Sequence, residues 1–437
     1  MSKGLLFTYL LTMIGLVFGV LNPFVGLCAY ICLAIINPTS LWFFSVPDKF
    51  FGIAGYSFLV GVSMLIGWLF AGFGKWNFGQ KVSVIVMCLV FNFFWMYISA
   101  AANGVLPLGA SNQLVQFVKL YLAFFLGLTI INNIRQLKTL IWVIILSEGY
   151  VAYDLNNSYM DGFNRLTEVG FAGMDNNFFV LTMVINAVLA FYTGLYDPKL
   201  WRKGIAFFIA ALNAHVIFFS MSRGGMLSLL ISGIAIVWFI PKKPSYIAFM
   251  IIAICAALYM AGPSVRERFA STFVDSKERD ASSQGRLKSW KNCLAVMRDN
   301  PIFGVGLRQW LPYTRSHHGM AIEAHSMWMQ ASAEQGVPGI LSLLGTFGFT
   351  ILYLMKVANV RTQTSDPYIH IVAQMTLCAL IGFCLGAQFV SVFAMEISYY
   401  TVMIGCIVLK FQNEYETQNQ YASQLITEEG TLYYRYE

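Results

Sequence analysis

Three residues far apart in the chain have the types and surroundings to act together on a phosphate-bearing substrate. Arg223 stands in Ser222-Arg223-Gly224-Gly225, a short turn between two long apolar runs. The planar guanidinium fork matches phosphate oxygens, and the adjacent glycines let another group approach the backbone. An arginine at the edge of lipid needs a partner or access to water. Arg223 is therefore either a phosphate or diphosphate clamp or a side chain snorkelling to the interface. Arg286 follows Gly285 where an amphipathic helix is expected to begin. Helix N-terminal amides would add donors for an anion there. The alternative is an ordinary solvated basic face. His325 lies in Ala324-His325-Ser326-Met327-Trp328. An imidazole in such an apolar setting can act as general base near neutral pH, or it can be purely structural.

Further residues are weaker candidates for the same cluster. Arg266 and Arg308 lie in the same stretch of chain and are otherwise surface charges. Arg165 belongs to a loop that ends in Asp175-Asn176-Asn177, three polar residues that either line a cavity mouth or cap a helix. His317 and His318 look exposed and rank below His325. Lys119, Glu148, His215 and Glu396 fall in or near apolar segments. Intramembrane ionisable groups are candidates by default, but these four are too scattered to define a relay. No phosphate-binding P-loop and no dinucleotide fingerprint is present.

The elements that must position these residues follow from composition. Hydrophobic residues make up 58% of the 437 positions and charged residues only 11%, where about 25% is usual in a soluble domain. This excludes a soluble enzyme, a disordered chain and a disulfide scaffold. Long unbroken apolar runs also disfavour an outer-membrane barrel, whose strands alternate apolar and polar residues. Seven of the eight cysteines lie in apolar segments and only Cys293 in a polar one. No spacing suits zinc or a redox pair. The net charge of +7 bears on topology and lipid headgroups rather than on nucleic acid.

The apolar runs predict helices, because lipid leaves no other way to satisfy their backbone. They fall at 4–21, 24–37, 52–74, 82–103, 113–131, 139–154, 176–196, 204–221, 224–240, 245–262, 337–356, 369–386 and 388–409. The first is expected to persist as a helix, since no small-residue cleavage site follows it. Basic residues gather in alternate loops: Lys75 and Lys81; Arg135 and Lys138; Lys199, Arg202 and Lys203; Lys242 and Lys243; Lys356 and Arg361; Lys410. The positive-inside rule assigns these to the cytoplasm. The expected organisation is an N-terminal bundle over 1–262, a periplasmic loop over 263–335, C-terminal spans over 336–410 and a loosely ordered cytoplasmic tail over 411–437. Thirteen spans would leave the N-terminus outside. A re-entrant piece within 4–37 would give about twelve, with both ends inside, and is the preferred count.

The segment 263–335 breaks the short-loop pattern, and a loop of that length is usually functional. It holds ten arginines and lysines and three of the five histidines on the expected outer side. Either an anion binds there, or a long loop has translocated regardless of charge. Within it, Leu287, Trp290, Leu294 and Met297 fall at helical spacing over 285–298. They predict an amphipathic helix lying on the membrane surface. Asn300-Pro301 ends it, Gly304-Val305-Gly306 permits a tight turn, and a second helix begins near Ala324.

The order of these pieces resembles one known superfamily. Ser222-Arg223-Gly224-Gly225 is followed by Gly285-Arg286 and Trp290, then by Asn300-Pro301-Ile302-Phe303-Gly304-Val305-Gly306. Last come His325-Ser326 and Glu334-Gln335-Gly336-Val337-Pro338-Gly339. Together they resemble the O-antigen ligase (WaaL) and O-antigen polymerase superfamily of bacterial inner-membrane glycosyltransferases. With Asn22-Pro23, Asn37-Pro38 and Asp175-Asn176-Asn177 added, the chain looks most like the ligase branch of exopolysaccharide or exosortase loci. The resemblance implies an all-α polytopic fold of the GT-C type with about 12 transmembrane helices, one large periplasmic loop and an active site facing the periplasm. It implies a metal-independent transfer needing no cofactor. The donor would be a glycan on undecaprenyl diphosphate, and the acceptor a hydroxyl of the lipid A core. By the same carry-over His325 matches the essential histidine, and Arg223 and Arg286 match the diphosphate-binding arginines. Arg165, Arg266 and Arg308 carry over less securely. A polymerase, a protein O-oligosaccharyltransferase and a transporter of the lipid-linked glycan are the competing functions. A transporter would place its ionisable groups near the membrane midplane, whereas here they gather in one loop.

Overall fold

The computed structural model describes residues 2–42, 44–105, 111–240, 281–359 and 366–433, with isolated positions between 242 and 259. Arg266 and most of the expected span 245–262 lie outside the described residues. What is described is helical, with no named strand among those residues. The helices are α1 (Lys3–Leu21), α2 (Pro23–Ile36), α3 (Pro38–Leu41), α4 (Tyr56–Phe70), α5 (Gly79–Ala102), α6 (Ser111–Ile130), α7 (Ile134–Met160) and α8 (Arg165–Glu168). They continue with α9 (Asn176–Tyr196), α10 (Leu200–Phe219), α11 (Arg223–Phe239), α12 (Ala281–Asp299), α13 (Trp310–His318), α14 (Met327–Ala358), α15 (Pro367–Gly386) and α16 (Glu396–Tyr433).

Among the described residues, seven helices are long and apolar enough to cross a membrane: α1, α2 extended through α3, α5, α9, α10, α14 and α15. The chain is thus an all-α, multi-pass membrane protein. Among the seven, α9 and α15 are the most enclosed by other helices. They pack on each other, and α10, α7 and α11 also pack on α9. At the N-terminus, Asn22 ends α1 and its side chain caps α2 by accepting the Phe24 N–H at 3.1 Å, with Pro23 at the first helical position. Both segments are separate helices long enough to span once α3 is counted, which favours two spans there over the re-entrant piece expected within 4–37.

Three departures from the sequence expectations have physical causes. The last span does not begin at 388. Residues 387–395 are non-helical, and the carbonyls of Ala387 and Val390 both accept the Met327 N–H at 2.9 Å. Helix α16 then runs from Glu396 to Tyr433, so most of the expected loose tail is helical. The amphipathic stripe of α12 is split: Ser289, Cys293 and Val296 are buried against α14, while Leu287 and Leu294 face outward. Finally, Lys410 is not an exposed loop charge. It is buried with Nζ on the carbonyls of Leu128 and Ile131, both at 3.1 Å, and on Asn132 Oδ1 at 2.8 Å. Those carbonyls are at the C-terminal end of α6, where a cation is favoured.

The element that organises the site is a break in α14. Gly336 has φ 66° and ψ −165°, a conformation open essentially to glycine. A turn over 300–306 fills the break. Val305 and Gly306 donate to the carbonyls of Ala333 and Glu334, both at 2.9 Å, and Val337 donates back to the Pro301 carbonyl at 2.8 Å. Any side chain at Gly304 or Gly336 would meet the facing backbone oxygens. Helix α5 braces the pair: Ser99 Oγ bonds the carbonyls of Phe303 (2.6 Å) and Glu334 (2.9 Å), Trp95 Nε1 bonds the Gln335 carbonyl (2.8 Å), and Trp95 stacks on Phe303 at 5.5 Å.

Gly336→Ala combines a forbidden φ with a steric clash and should cost more than about 1 kcal/mol. Trp95→Phe loses one hydrogen bond to a buried carbonyl and should cost about 1 kcal/mol. Thermal unfolding of the detergent-solubilised protein should rank wild type above Trp95→Phe above Gly336→Ala. A Gly336→Ala protein as stable as wild type would contradict the close packing of the break.

Candidate active site

The turn that carries Arg223 is built by side-chain caps. Met221 takes a positive φ of 60° to reverse the chain, and Ser222 caps α11 by accepting the Gly225 N–H at 3.2 Å. The polar residues that open α9 hold this turn. Asn176 Nδ2 donates to the Ser220 carbonyl at 2.7 Å, and Ser222 Oγ donates to Asn177 Oδ1 at 2.8 Å. Asp175 caps α9 through the Phe178 N–H at 2.7 Å. The Asp-Asn-Asn run is thus both a helix cap and the support of Arg223, which occupies the first position of α11.

Helix α12 carries Arg286 and is tied directly to the residues before His325. Ser289 Oγ donates to the Glu323 carbonyl at 2.9 Å, and Trp290 Nε1 donates to the Ala324 carbonyl at 3.1 Å. The Trp290 ring lies 6.3 Å from that of Phe389. A Cβ at Gly224 would stand 3.1 Å from Phe389 Cβ, so the non-helical segment 387–395 links the arginine turn to α12. One sequence expectation changes here. Helix α12 begins at Ala281, so Arg286 sits more than a turn inside it. Its neighbouring amides are used within the helix, and it is Arg223 that stands at a helix N-terminus.

His325 is held between fixed neighbours. Its φ is 48°, in the left-handed region where histidine is enriched among non-glycine residues. Ser326 follows as the cap of α14, accepting the Met329 N–H at 3.2 Å. The imidazole is half-buried. Burial pushes its pKa below the usual 6.5, the Arg286 charge pushes it further down, and Glu323 and Asp175 act in the opposite sense. At pH 7 the ring is therefore neutral and able to accept a proton. Arg286, Asp175 and Glu323 are thus the charged groups that His325 senses.

The other candidates are placed differently. Arg165 pairs with Asp154 at 3.2 Å, donates to the Ser40 carbonyl and lies over the Phe171 ring at 5.7 Å. It braces the loop that leads to Asp175. Arg308 has φ 62° and an exposed side chain at the turn before α13. His317 and His318 are exposed, with His317 stacked on Tyr313 at 3.9 Å. Glu334, which the sequence did not single out, anchors this turn: its carboxylate accepts from the backbone N–H groups of Arg308 and Trp310 and from Gln330 Nε2 at 2.9 Å. A usable signal existed on α5, where Asn92, Trp95 and Ser99 share one helical face in an otherwise apolar run. Asn92 Nδ2 bonds Gln335, Gly339 and Ser342.

Replacing Arg286 with Gln removes a repelling charge and should raise the His325 pKa towards 6.5. The pH dependence of diethyl pyrocarbonate modification at His325, read by peptide mass spectrometry, checks this. Its midpoint should lie below 6.5 in wild type and move up in Arg286→Gln. An unchanged midpoint would show that the two side chains do not interact.

The comparison with known families bears on this region. No curated protein matches the chain. Residues 206–344 match the model of a family described as O-antigen ligase. The match begins in α10 and takes in Arg223, Arg286, the turn at 300–306, His325 and the break at Gly336. That match, over the segment that builds the site, shows the chain's resemblance to the O-antigen ligase and polymerase superfamily of membrane enzymes.

Proposed function

We propose that the protein is a glycosyltransferase of the O-antigen ligase type, moving a glycan from undecaprenyl diphosphate to a hydroxyl of the lipid A core. The observation that carries the proposal is the half-buried His325, whose preceding residues are bonded to the helix that carries Arg286 through Ser289 and Trp290. In the proposed reaction an acceptor hydroxyl attacks the anomeric carbon of the donor. The bond from that carbon to the diphosphate oxygen breaks, and His325 takes the hydroxyl proton as general base. Negative charge collects on the departing diphosphate. Arg223 and Arg286, fixed in a partly dehydrated site, stabilise it without reorganising at the moment of reaction. A single displacement inverts the anomeric centre.

The resemblance also supports the setting: the inner membrane of a bacterium, with the site opening to the periplasm so that both lipid-borne substrates reach it laterally. In this proposal Arg308, exposed at the turn before α13, is a further contact for donor or acceptor, and Arg165 holds the 165–175 loop in place.

The test is transfer in vitro from undecaprenyl diphosphate-linked glycan to core lipopolysaccharide. His325→Ala should lower kcat by at least about 100-fold at normal expression. Arg223→Ala and Arg286→Ala should each lower kcat/KM for the donor. Full activity in His325→Ala would remove the base assignment. Elongation of the carrier-linked glycan, with no product on the core, would mark a polymerase instead.

A further inference from the structure

Outside the site, a cavity of about 610 Å³ lies between α1, α2 and α7. That falls within the roughly 300–1,000 Å³ of small-molecule sites. Its walls include Phe7 and Ile14 of α1, Cys28 and Cys32 of α2, and Leu146 and Tyr150 of α7. Phe7, Ile14, Leu146 and Tyr150 are also exposed at the surface, so the cavity is a groove open to surrounding lipid. From Lys3 to Ile14 it follows α1 for about 16 Å at 1.5 Å per residue. That is about half of a hydrocarbon core roughly 30 Å thick, the depth of one leaflet.

Charge and continuity give the groove a direction. Lys3 is the one charged residue among those lining it, and it stands at the end where Trp42 closes the cavity. Ser40, two residues before Trp42, accepts from Arg165. Arg165 lies over Phe171, the bridge Phe171–Met174 follows, and Asp175 comes next, one of the charges His325 senses. The basic end of the groove is therefore joined to the candidate active site by one short braced loop, while the rest is apolar.

We infer that this groove binds the polyprenyl chain of the diphosphate-linked donor, with Lys3 at headgroup level, so that the carrier is held along α1, α2 and α7 while its diphosphate reaches the arginines. The inference rests on the proposed function for the identity of the carrier. It adds a binding site on helices outside the matched segment 206–344.

The test uses the full-length protein in nanodiscs of phosphatidylethanolamine and phosphatidylglycerol, with a polyprenyl diphosphate bearing a benzophenone near the tail. After illumination, labelled peptides should come from α1, α2 and α7. Excess unlabelled polyprenyl diphosphate should suppress the label, and excess phosphatidylglycerol should not. Leu146→Trp and Ile14→Trp block the groove from opposite walls, and each should cut labelling at least tenfold. Leu341→Trp, on the exposed face of α14, should leave it unchanged. Labelling confined to other helices, suppression by phosphatidylglycerol, or full labelling of both blocked variants would overturn the inference. Labelling in the groove without glycan transfer by the wild type would leave the chain site standing and remove the proposed reaction. Transfer by the wild type with labelling elsewhere would do the reverse.

Discussion

The candidate site depends on a clamp between two stretches of backbone. The turn at 300–306 and the break at Gly336 satisfy each other's amides and carbonyls at a point where neither could remain helical. Buried peptide groups without partners are costly, so each stretch requires the other. The clamp fixes the C-terminal end of α12. The bonds from Ser289 and Trp290 fix its middle on residues 323 and 324. With both points held, the arginine on α12 and the histidine after residue 324 have a set relation. The motifs most easily recognised in this part of the sequence, from Asn300 to Gly306 and from Glu334 to Gly339, are thus framework rather than chemistry.

In the proposed reaction the same arrangement would couple binding to proton transfer. The guanidinium that would hold the diphosphate also suppresses protonation of the imidazole. An anion bound to Arg286 would offset part of that charge. The ring would then become a stronger base once the donor is in place, and would stay neutral and available before it arrives. Asp175 and Glu323 already act in this direction, which keeps the suppression moderate. A positive φ at His325 is consistent with a residue whose placement is set by its surroundings rather than by its own preference.

Much of this was legible in the sequence, and the failures are specific. Long apolar runs identified most helices, because a run without charges has few other solutions in lipid. The same signal misled at 388–395, where an apolar segment lies under the start of α14 as irregular chain. Hydropathy reads burial and cannot tell lipid from protein as the covering medium. The split stripe of α12 has a similar origin: Cys293 and Ser289 are small enough to allow close contact with α14, so they, not the leucines, define its inward face. Arg223, Arg286 and His325 were visible as residue types in suggestive settings. Glu334 was visible only as part of a recognisable motif and its anchoring role was not, since a carboxylate that accepts from backbone amides across a turn leaves no periodic trace. Nor could Arg165 be sorted as a brace, because Asp154 and Ser40 become its neighbours only through the fold.

Lys410 gives a final consequence. While the polypeptide is being inserted, that ammonium is still hydrated and contributes to deciding which way the last hydrophobic segment is threaded. In the finished bundle the same group is enclosed and neutralises the negative pole of α6. One residue thus acts first on orientation and afterwards on cohesion, and a neutral replacement would disturb two separate stages of biogenesis.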